Sequence, residues 1–163
     1  MPKIKQLQIR VTAEEKAAIR QRAAAARLDV SKWILRQALP PAEQRFQSLC
    51  GDLAAASASR SYVLSELNDF LSGLSARDFR KAVAEPPGLR LPAFEAAYVA
   101  AMVEQAASMN RAPAPPWTRG VAPLERPWFA SPLKNLRLHL LTKSPPPFRR
   151  RNLFVDSTVG DRV

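Results

Sequence analysis

The chain has 163 residues and a formal net charge of +11 at pH 7, and 47% of its residues are hydrophobic. This composition suits a folded domain of moderate size and argues against wholesale disorder. One cysteine and one histidine cannot build an ordinary zinc site, and no apolar run approaches the roughly 20 residues that span a membrane. The first residues also lack the apolar core of a signal peptide, so we expect a cytoplasmic protein without cofactor or metal.

The basic residues are concentrated at the two ends of the sequence. Residues 1–40 hold nine bases and three acids, residues 41–110 hold six and eight, and residues 111–163 hold ten and three. Two basic segments therefore flank a slightly acidic middle. Such a distribution favours binding to a polyanion, with an affinity that falls as the salt concentration rises. The alternative is a basic protein from an arginine-rich proteome, whose charge has no such role.

The first predicted element is a β-strand over residues 4–11. From Gln6 onward the sequence alternates with a period of two, so that Leu7, Ile9 and Val11 share one face. The other face carries two amides and a guanidinium, which can form bidentate hydrogen bonds to base edges: Gln6, Gln8 and Arg10. A single strand cannot satisfy its own backbone or cover its apolar face, so it needs a partner.

Two helices are predicted directly after the strand. Thr12 and Glu15 have the spacing of a capping box at the start of the first helix, and Asp29 is the predicted N-cap of the second. The apolar residues of the two helices recur at helical spacing: Ile19, Ala23, Ala26, Val30, Trp33, Ile34 and Leu39. A strand and two helices in forty residues bury too little surface to stand alone, so we expect two copies to pair.

The strand, the cap at Thr12 with the following Glu14-Glu15 turn, and the stretch from Leu28 to Ile34 resemble the ribbon-helix-helix family of DNA-binding proteins. The resemblance implies a homodimer whose strands pair antiparallel and enter the major groove of double-stranded DNA. Alternate strand residues then read the bases. It also implies that the start of the second helix binds a phosphate through its backbone amides.

Carried over by position, the resemblance assigns base reading to Gln6, Gln8 and Arg10, and phosphate contacts to Lys5, Val30, Ser31 and Lys32. Two positions depart from the usual residues of the family. Arg27 stands where a glycine usually joins the helices, although an arginine tolerates a left-handed backbone less well. Asp29 stands where a serine cap is more usual, so the expected phosphate contacts are the amides of Val30 and Ser31 rather than this carboxylate.

Residues 41–110 are predicted to form a small helical domain. Apolar spacing indicates helices over residues 42–57 and 61–72, a short helix capped by Ser75, and a longer helix between Pro92 and Asn110. We interpret the aromatic residues of this region as packing residues and its carboxylates as parts of solvated helix faces.

Residues 111–163 form a proline-rich, basic tail. Its segments around Trp117 and Trp128 are predicted to be extended, and a helix should begin at Ser131-Pro132. A single turn after Ser144 and a strand-like run over residues 153–156 follow. The tail either wraps the chain's own helical domain or binds a second protein. The residues assigned to such binding are Trp117, Trp128, Phe129, Arg149, Arg150 and Arg151, because tryptophan and arginine dominate binding hot spots.

Residues 67–156 also resemble bacterial proteins of predicted antitoxin type that sit beside nucleotidyltransferase-like toxins. The matching phrases are Ala100-Ala101-Met102-Val103-Glu104, Pro116-Trp117-Thr118 and Phe148-Arg149-Arg150-Arg151-Asn152. This resemblance implies a toxin as the protein partner and no activity in the chain itself.

The predicted fold is mainly α, with a ribbon-helix-helix unit at residues 1–40, a helical domain at 41–110 and a partly extended tail at 111–163. The function this favours is a homodimeric, sequence-specific DNA-binding repressor, the antitoxin of a toxin–antitoxin operon. It would bind its operator through the ribbon and its toxin through the C-terminal region. The alternative is a plasmid mobilisation accessory protein that recognises a transfer origin, and the neighbouring gene distinguishes the two.

An enzyme that acts on nucleic acid is the third hypothesis, and we do not expect it. His139 has no evident partner in the sequence, and Cys50 lies on a predicted core stripe. The five glycines form no phosphate-binding loop.

Overall fold

The computed structural model describes residues 8–38, 41–56 and 59–157. The chain divides into two compact units, Met1–Pro40 and Pro41–Val163. The described residues are mainly helical, with eight α-helices and two short strands, which confirms the prediction of a mainly α fold. Residues 41–110 and the tail belong to the same compact unit.

The first unit contains helix α1 at Ala13–Ala25 and helix α2 at Val30–Ala38. The predicted capping box is confirmed: the Thr12 hydroxyl accepts a hydrogen bond from the Glu15 amide at 3.2 Å, and the Glu15 carboxylate accepts one from the Thr12 amide at 2.8 Å. Asp29 caps α2 as predicted, because its carboxylate accepts a hydrogen bond from the Lys32 amide at 2.9 Å. Local sequence chemistry therefore fixes where both helices begin.

The joint between α1 and α2 is formed without a glycine. Arg27 has a φ of 54°, in the left-handed region, where glycine is the usual residue. The amides of Arg27 and Leu28 bond back to the carbonyls of Ala24 and Ala23, at 2.9 and 3.0 Å. This pair of bonds is a Schellman ending, which satisfies carbonyls at the end of α1 and directs the chain into α2.

The predicted strand over residues 4–11 is only partly described. Lys5, Gln6 and the other residues before Gln8 lie outside the described residues, and so does Leu39 at the end of the predicted apolar stripe of α2. Gln8 to Val11 belong to no helix or strand of the single chain. A two-stranded ribbon takes its second strand from another copy, so the ribbon stays a prediction.

The second unit begins with four helices: α3 at Ala42–Ala55, α4 at Arg60–Gly73, α5 at Ala76–Ala82 and α6 at Ala93–Met109. Their bounds lie close to the predicted spans. The Ser75 hydroxyl accepts a hydrogen bond from the Asp78 amide at 3.2 Å, which confirms the predicted cap of α5.

Helix α6 is the central element of this unit. It is buried on almost every side and contacts α4, the residues that follow it and the C-terminal part of the tail. Large apolar side chains from the surrounding helices pack around it, and the most completely buried are Phe46, Leu49, Leu53, Leu67, Leu71, Phe79 and Phe148. The second unit thus has a continuous core of its own, to which the tail contributes Phe148, Leu153 and Val155.

The tail is more regular than the sequence predicted. It contains a 3₁₀ turn at Pro116–Gly120, strand β1 at Trp128–Phe129, a second 3₁₀ turn at Lys134–Leu136, helix α7 at Arg137–Lys143, helix α8 at Pro146–Arg149 and strand β2 at Leu153–Phe154. β1 and β2 pair in parallel, with Trp128 opposite Leu153.

Two predictions for the tail were wrong in detail. The segment around Trp117 is not extended, because Pro115 and Pro116 begin a tight turn in which the Thr118 hydroxyl donates a hydrogen bond to the Pro115 carbonyl at 2.9 Å. The helix predicted to begin at Ser131-Pro132 begins later, at Arg137, after the second 3₁₀ turn.

Candidate nucleic-acid interface

The described base-reading candidates are exposed. Gln8 and Arg10 lie in the segment before α1, and both side chains are open to solvent. The third candidate, Gln6, and the phosphate candidate Lys5 lie outside the described residues. The geometry therefore leaves Gln8 and Arg10 free to reach a ligand, although it does not test the alternation of faces that the strand requires.

Apolar residues of this segment and of α2 are also exposed, although the sequence pattern of the strand predicts that its apolar face should be covered. Ile9, Val11, Val30 and Leu35 are all more than a third exposed, and Ala23 is the one buried hydrophobic residue among the described residues of this unit. A concavity of about 550 Å³ separates the segment from the helices, with an apolar lining formed by Ile9, Val11, Ile19, Val30 and Ile34. Apolar surface concentrated in this way indicates an interaction site.

Basic side chains surround this concavity. Arg10, Lys16 and Arg20 contribute to its lining, and all three are exposed. Residues 1–40 carry a net charge of +6, since they contain nine bases and three acids. Two copies would double this charge on one small assembly, which favours association with a polyanion.

The start of α2 is a candidate phosphate site. The amides of Val30 and Ser31 lie in the first turn, where a helix has no intrahelical acceptor for its N–H groups, and the positive end of the helix dipole lies there too. The Asp29 carboxylate already occupies part of this position, and the Lys32 ammonium lies 3.2 Å from it. A phosphate would therefore approach the Val30 and Ser31 amides beside Asp29 and share the Lys32 ammonium with it.

The two tail tryptophans pack on the chain's own second unit. The Trp117 indole N–H donates a hydrogen bond to the Val83 carbonyl at 2.9 Å, and its ring lies 6.5 Å from that of Phe46. Trp128 packs edge-on against Phe94 at 5.0 Å, and both tryptophans are half-buried. This arrangement corresponds to the alternative in which the tail wraps the chain's own helical domain. Both tryptophan side chains are engaged in contacts within the unit and are not free to bind a second protein.

Phe129 is likewise occupied within the tail. Its ring stacks on Phe154 at 4.9 Å, and the Arg137 guanidinium lies 5.2 Å from its centroid on the β1–β2 surface. Phe129 is half-buried, so part of the ring faces solvent.

The three consecutive arginines have different environments. Arg149 and Arg150 are exposed, whereas Arg151 is only 5% exposed and its guanidinium donates to the Glu104 carboxylate at 2.7 and 3.0 Å. Arg151 also donates to the carbonyls of Pro147 and Thr118, at 3.0 and 2.7 Å. A partner cannot reach this side chain, so the predicted binding role does not fit Arg151.

Glu104 is the acceptor that the sequence reasoning missed. Its burial alone would raise the pKa of the carboxyl, but the hydrogen bonds from Arg151 and the charges of Arg151 and Arg150 outweigh that effect, so the pKa lies below its usual range. The sequence contains one indication of this burial, because Glu104 directly follows the apolar run Val99–Val103. In the structure this part of α6 has no exposed face.

The residues considered for catalysis lie in two places, with Cys50 in the core and His139 on the surface beside Asp156. Burial raises the pKa of the Cys50 thiol to about 12, so it stays protonated and unreactive near neutral pH. The His139 imidazole lies 3.8 Å from the Asp156 carboxylate, and both side chains are about half exposed. Among residues 8–38, 41–56 and 59–157 there is no group of three metal-ligating side chains.

No helix in the described part of the chain has both the length and the apolar character needed to cross a bilayer.

Comparison with known proteins adds one finding. Residues 1–41 match the model of the NikA-like family, described as mobilization protein NikA. The match is consistent with a ribbon-helix-helix DNA-binding unit at this end of the chain. It covers the first compact unit and leaves the second unmatched. No curated protein and no solved structure matches the chain, and no comparison supports the resemblance to predicted antitoxins.

Proposed function

We propose that the chain is a homodimeric protein that binds specific sequences of double-stranded DNA through residues 1–40. The observation that carries this proposal is the exposed apolar surface of the first unit, where Ile9, Val11 and Val30 lie around an open concavity bordered by arginine and lysine. A folded unit with a single buried hydrophobic residue among those described requires a cover for the rest.

A second copy of the same unit is the cover that this sequence supports. The alternation from Gln6 to Val11 places apolar and polar residues on opposite faces of a strand. Two such strands, paired antiparallel, would satisfy each other's backbone groups and turn both apolar faces towards the helices. Burial of each Ile or Val side chain would stabilise the dimer by roughly 1.5–3 kcal/mol before the cost of association is subtracted.

The outer face of this ribbon would then carry Gln6, Gln8 and Arg10 from each copy into the major groove. Glutamine recognises adenine and arginine recognises guanine through two hydrogen bonds each. Lys5, Lys32 and the amides of Val30 and Ser31 would contact phosphates and fix the register of the dimer on the duplex. Capping by Asp29 supports this arrangement, because it holds the first turn of α2 in place.

The biological role that we propose is that of an accessory protein in plasmid mobilisation, which recognises a transfer origin. The match of residues 1–41 to a mobilization-protein family supports this role over that of an antitoxin. Repression of its own operon, alone or as an antitoxin, is the competing role, and it uses the same mode of DNA binding.

The function can be tested by selecting bound duplexes from a random pool with the full-length chain, and by locating the selected sequence on the replicon that encodes it. A site within a transfer origin beside a relaxase gene supports mobilisation, and a site overlapping the chain's own promoter supports repression. Failure to enrich any sequence would refute specific DNA recognition.

Arg10 provides the sharpest test of base reading. Arg10→Ala should weaken binding to the selected site by about 1–3 kcal/mol and relax the preference at one base pair of each half-site. Arg10→Lys is the matched control, because it keeps the charge and loses the bidentate geometry. We expect it to restore affinity for random DNA but not the sequence preference, as measured by fluorescence anisotropy. Equal preference in all three proteins would show that Arg10 reads no base.

A further inference from the structure

One short part of the tail exposes far more apolar surface than its surroundings. Leu133, Leu136, Leu138 and Leu141 are 56%, 39%, 72% and 42% exposed. Elsewhere in the described part of the second unit, the exposed large hydrophobic residues are only Tyr62, Leu89 and Met109, which lie far apart in the sequence. We call residues 133–143 the leucine segment. Single exposed leucines are ordinary, but four within nine residues indicate a surface that is covered in use.

The leucine segment is firmly attached to the second unit, so its exposure does not arise from a loose end. Leu140 is buried and anchors α7 to the second unit. Directly after α7, the buried Ser144 hydroxyl accepts a hydrogen bond from the Val155 amide at 2.8 Å and donates one to the Val155 carbonyl at 2.6 Å. The Arg137 guanidinium packs over the Phe129 ring at the other end of α7.

The exposed leucines have the spacing of a helix-packing face. Leu138 and Leu141 are three positions apart on α7 and therefore lie on the same side of the helix, turned away from the buried Leu140. A cavity of about 400 Å³ adjoins the segment, and Leu136, His139 and Leu140 contribute to its lining. Helices pack by fitting the side-chain ridge of one helix into a groove of the other, and the leucines with the adjoining cavity provide both features.

The charged side chains of the leucine segment are positive, and the acid that lines the adjoining cavity, Asp156, lies 3.8 Å from His139. Lys134, Arg137 and Lys143 belong to the leucine segment, and none of them forms an ion pair with any described residue. A partner that covers the leucines must therefore bring carboxylates to these bases, because burial beside unpaired cations is costly.

We propose that the leucine segment is a docking surface for an acidic amphipathic helix of a partner protein. A second copy of this chain fits poorly, since the same segment would bring its own bases against these. DNA would match the charge but would leave the leucines without an apolar contact. An anionic membrane is disfavoured because the leucines lie beside a hollow of about 400 Å³, which the side chains of a partner helix can fill and a flat bilayer surface cannot. The proposal does not depend on the DNA-binding role of residues 1–40.

The test uses the full-length chain and a fluorescent, hydrocarbon-stapled helical peptide with leucines at one-turn spacing on one face and glutamates beside them. A second peptide has lysines in place of the glutamates. We expect the acidic peptide to bind with an affinity that falls as salt rises, and the lysine peptide not to bind. Leu138→Ser together with Leu141→Ser should weaken binding by about tenfold or more, as expected for the removal of hot-spot contacts.

Matched controls separate docking from a general loss of structure. Tyr62→Ser removes an equally exposed hydrophobic residue elsewhere in the same unit and should leave peptide binding unchanged. A double charge reversal, Lys134→Glu and Lys143→Glu, should exchange the preference, so that the lysine peptide binds more tightly than the acidic one; Arg137 is kept because its guanidinium packs over Phe129. Circular dichroism and thermal unfolding should match the parent chain, because every substituted side chain is exposed.

Several outcomes would overturn the proposal. The first is that the variant with Leu138→Ser and Leu141→Ser binds the acidic peptide as tightly as the parent chain does. The second is that the parent chain does not bind this peptide at millimolar concentration. Tighter binding of the segment to phosphatidylglycerol vesicles than to the peptide would assign the surface to a membrane instead. Loss of duplex-DNA binding in the leucine variant would assign it to the DNA interface.

Discussion

The two units of this chain achieve order in different ways. The second unit joins apolar side chains from α3, α4, α5, α6 and the tail in one core, and it places even a carboxylate and a guanidinium in its interior. The first unit has well-formed caps and a Schellman joint, but among its described residues it buries one alanine and exposes isoleucine, valine and leucine. Local hydrogen bonding can therefore define helices without defining a core. In the proposed homodimer, a second copy supplies the core that the described residues of the first unit lack.

The largest expected effect concerns that missing core. Val11→Asp would place a carboxylate in the contact between two copies, and the twofold symmetry of a dimer repeats the change on both sides. We expect roughly 1000-fold or greater weakening of dimerisation, with loss of specific DNA binding, because an unpaired charge in an apolar contact is strongly unfavourable. Sedimentation equilibrium measures the first effect and gel shift the second.

The control for this change is Gln21→Glu, which adds the same charge at an exposed position of α1 that does not line the concavity. Its dimerisation should match that of the parent chain. A parent chain that is monomeric at all accessible concentrations would remove the basis of the comparison between the two units.

The second prediction concerns the ion pair inside the second unit. Glu104→Ala would leave the buried Arg151 guanidinium without its carboxylate, which should destabilise this unit by about 3–5 kcal/mol in urea unfolding. Glu66→Ala is the matched control, because Glu66 pairs with Arg45 in a partly exposed contact between α3 and α4. It should cost about 1 kcal/mol or less. Similar losses for the two variants would show that burial adds nothing to the Glu104–Arg151 contact.

The third prediction is the pH dependence that this ion pair confers. The folded-state pKa of Glu104 lies below its ordinary value near 4.5, so ionised Glu104 stabilises the folded state above that pH. This contribution should disappear progressively as the pH falls below about 4.5, through the lower folded-state pKa. Glu104→Gln should reduce the loss of stability between pH 5 and pH 3 in urea unfolding. If the free energy of unfolding fell equally steeply with pH in Glu104→Gln and in the parent chain, the lowered pKa would be contradicted.

The contrast between the two units also explains which features could be predicted from the sequence. Caps at Thr12, Asp29 and Ser75 depend on side chains three residues from their acceptors or donors, and all three were predicted. The spans of α3 to α6 followed from apolar periodicity for the same local reason.

Features that depend on distant residues were missed. The Arg149 to Arg151 triplet is uniform in sequence, yet only Arg151 is buried, because Glu104, 47 positions earlier, lies beside it in the fold. The 3₁₀ turn at Trp117 is held by a hydrogen bond to Val83 that no local pattern indicates. The candidate site follows the same rule: its caps were predictable from local sequence, whereas the proposed ribbon would depend on contacts with a second copy.

The smallest expected effect tests how the first unit makes its joint. Arg27 adopts a left-handed backbone at a cost of about 1 kcal/mol that glycine would not incur. Arg27→Gly should therefore stabilise the dimer slightly, by up to about 1 kcal/mol, whereas Arg22→Gly within α1 should destabilise it by a similar amount. Both changes remove one positive charge, so any common weakening of DNA binding can be separated from the difference in stability. Thermal unfolding at fixed concentration measures that difference. If Arg27→Gly were as destabilising as Arg22→Gly, the Arg27 side chain would stabilise the first unit by more than its left-handed backbone costs.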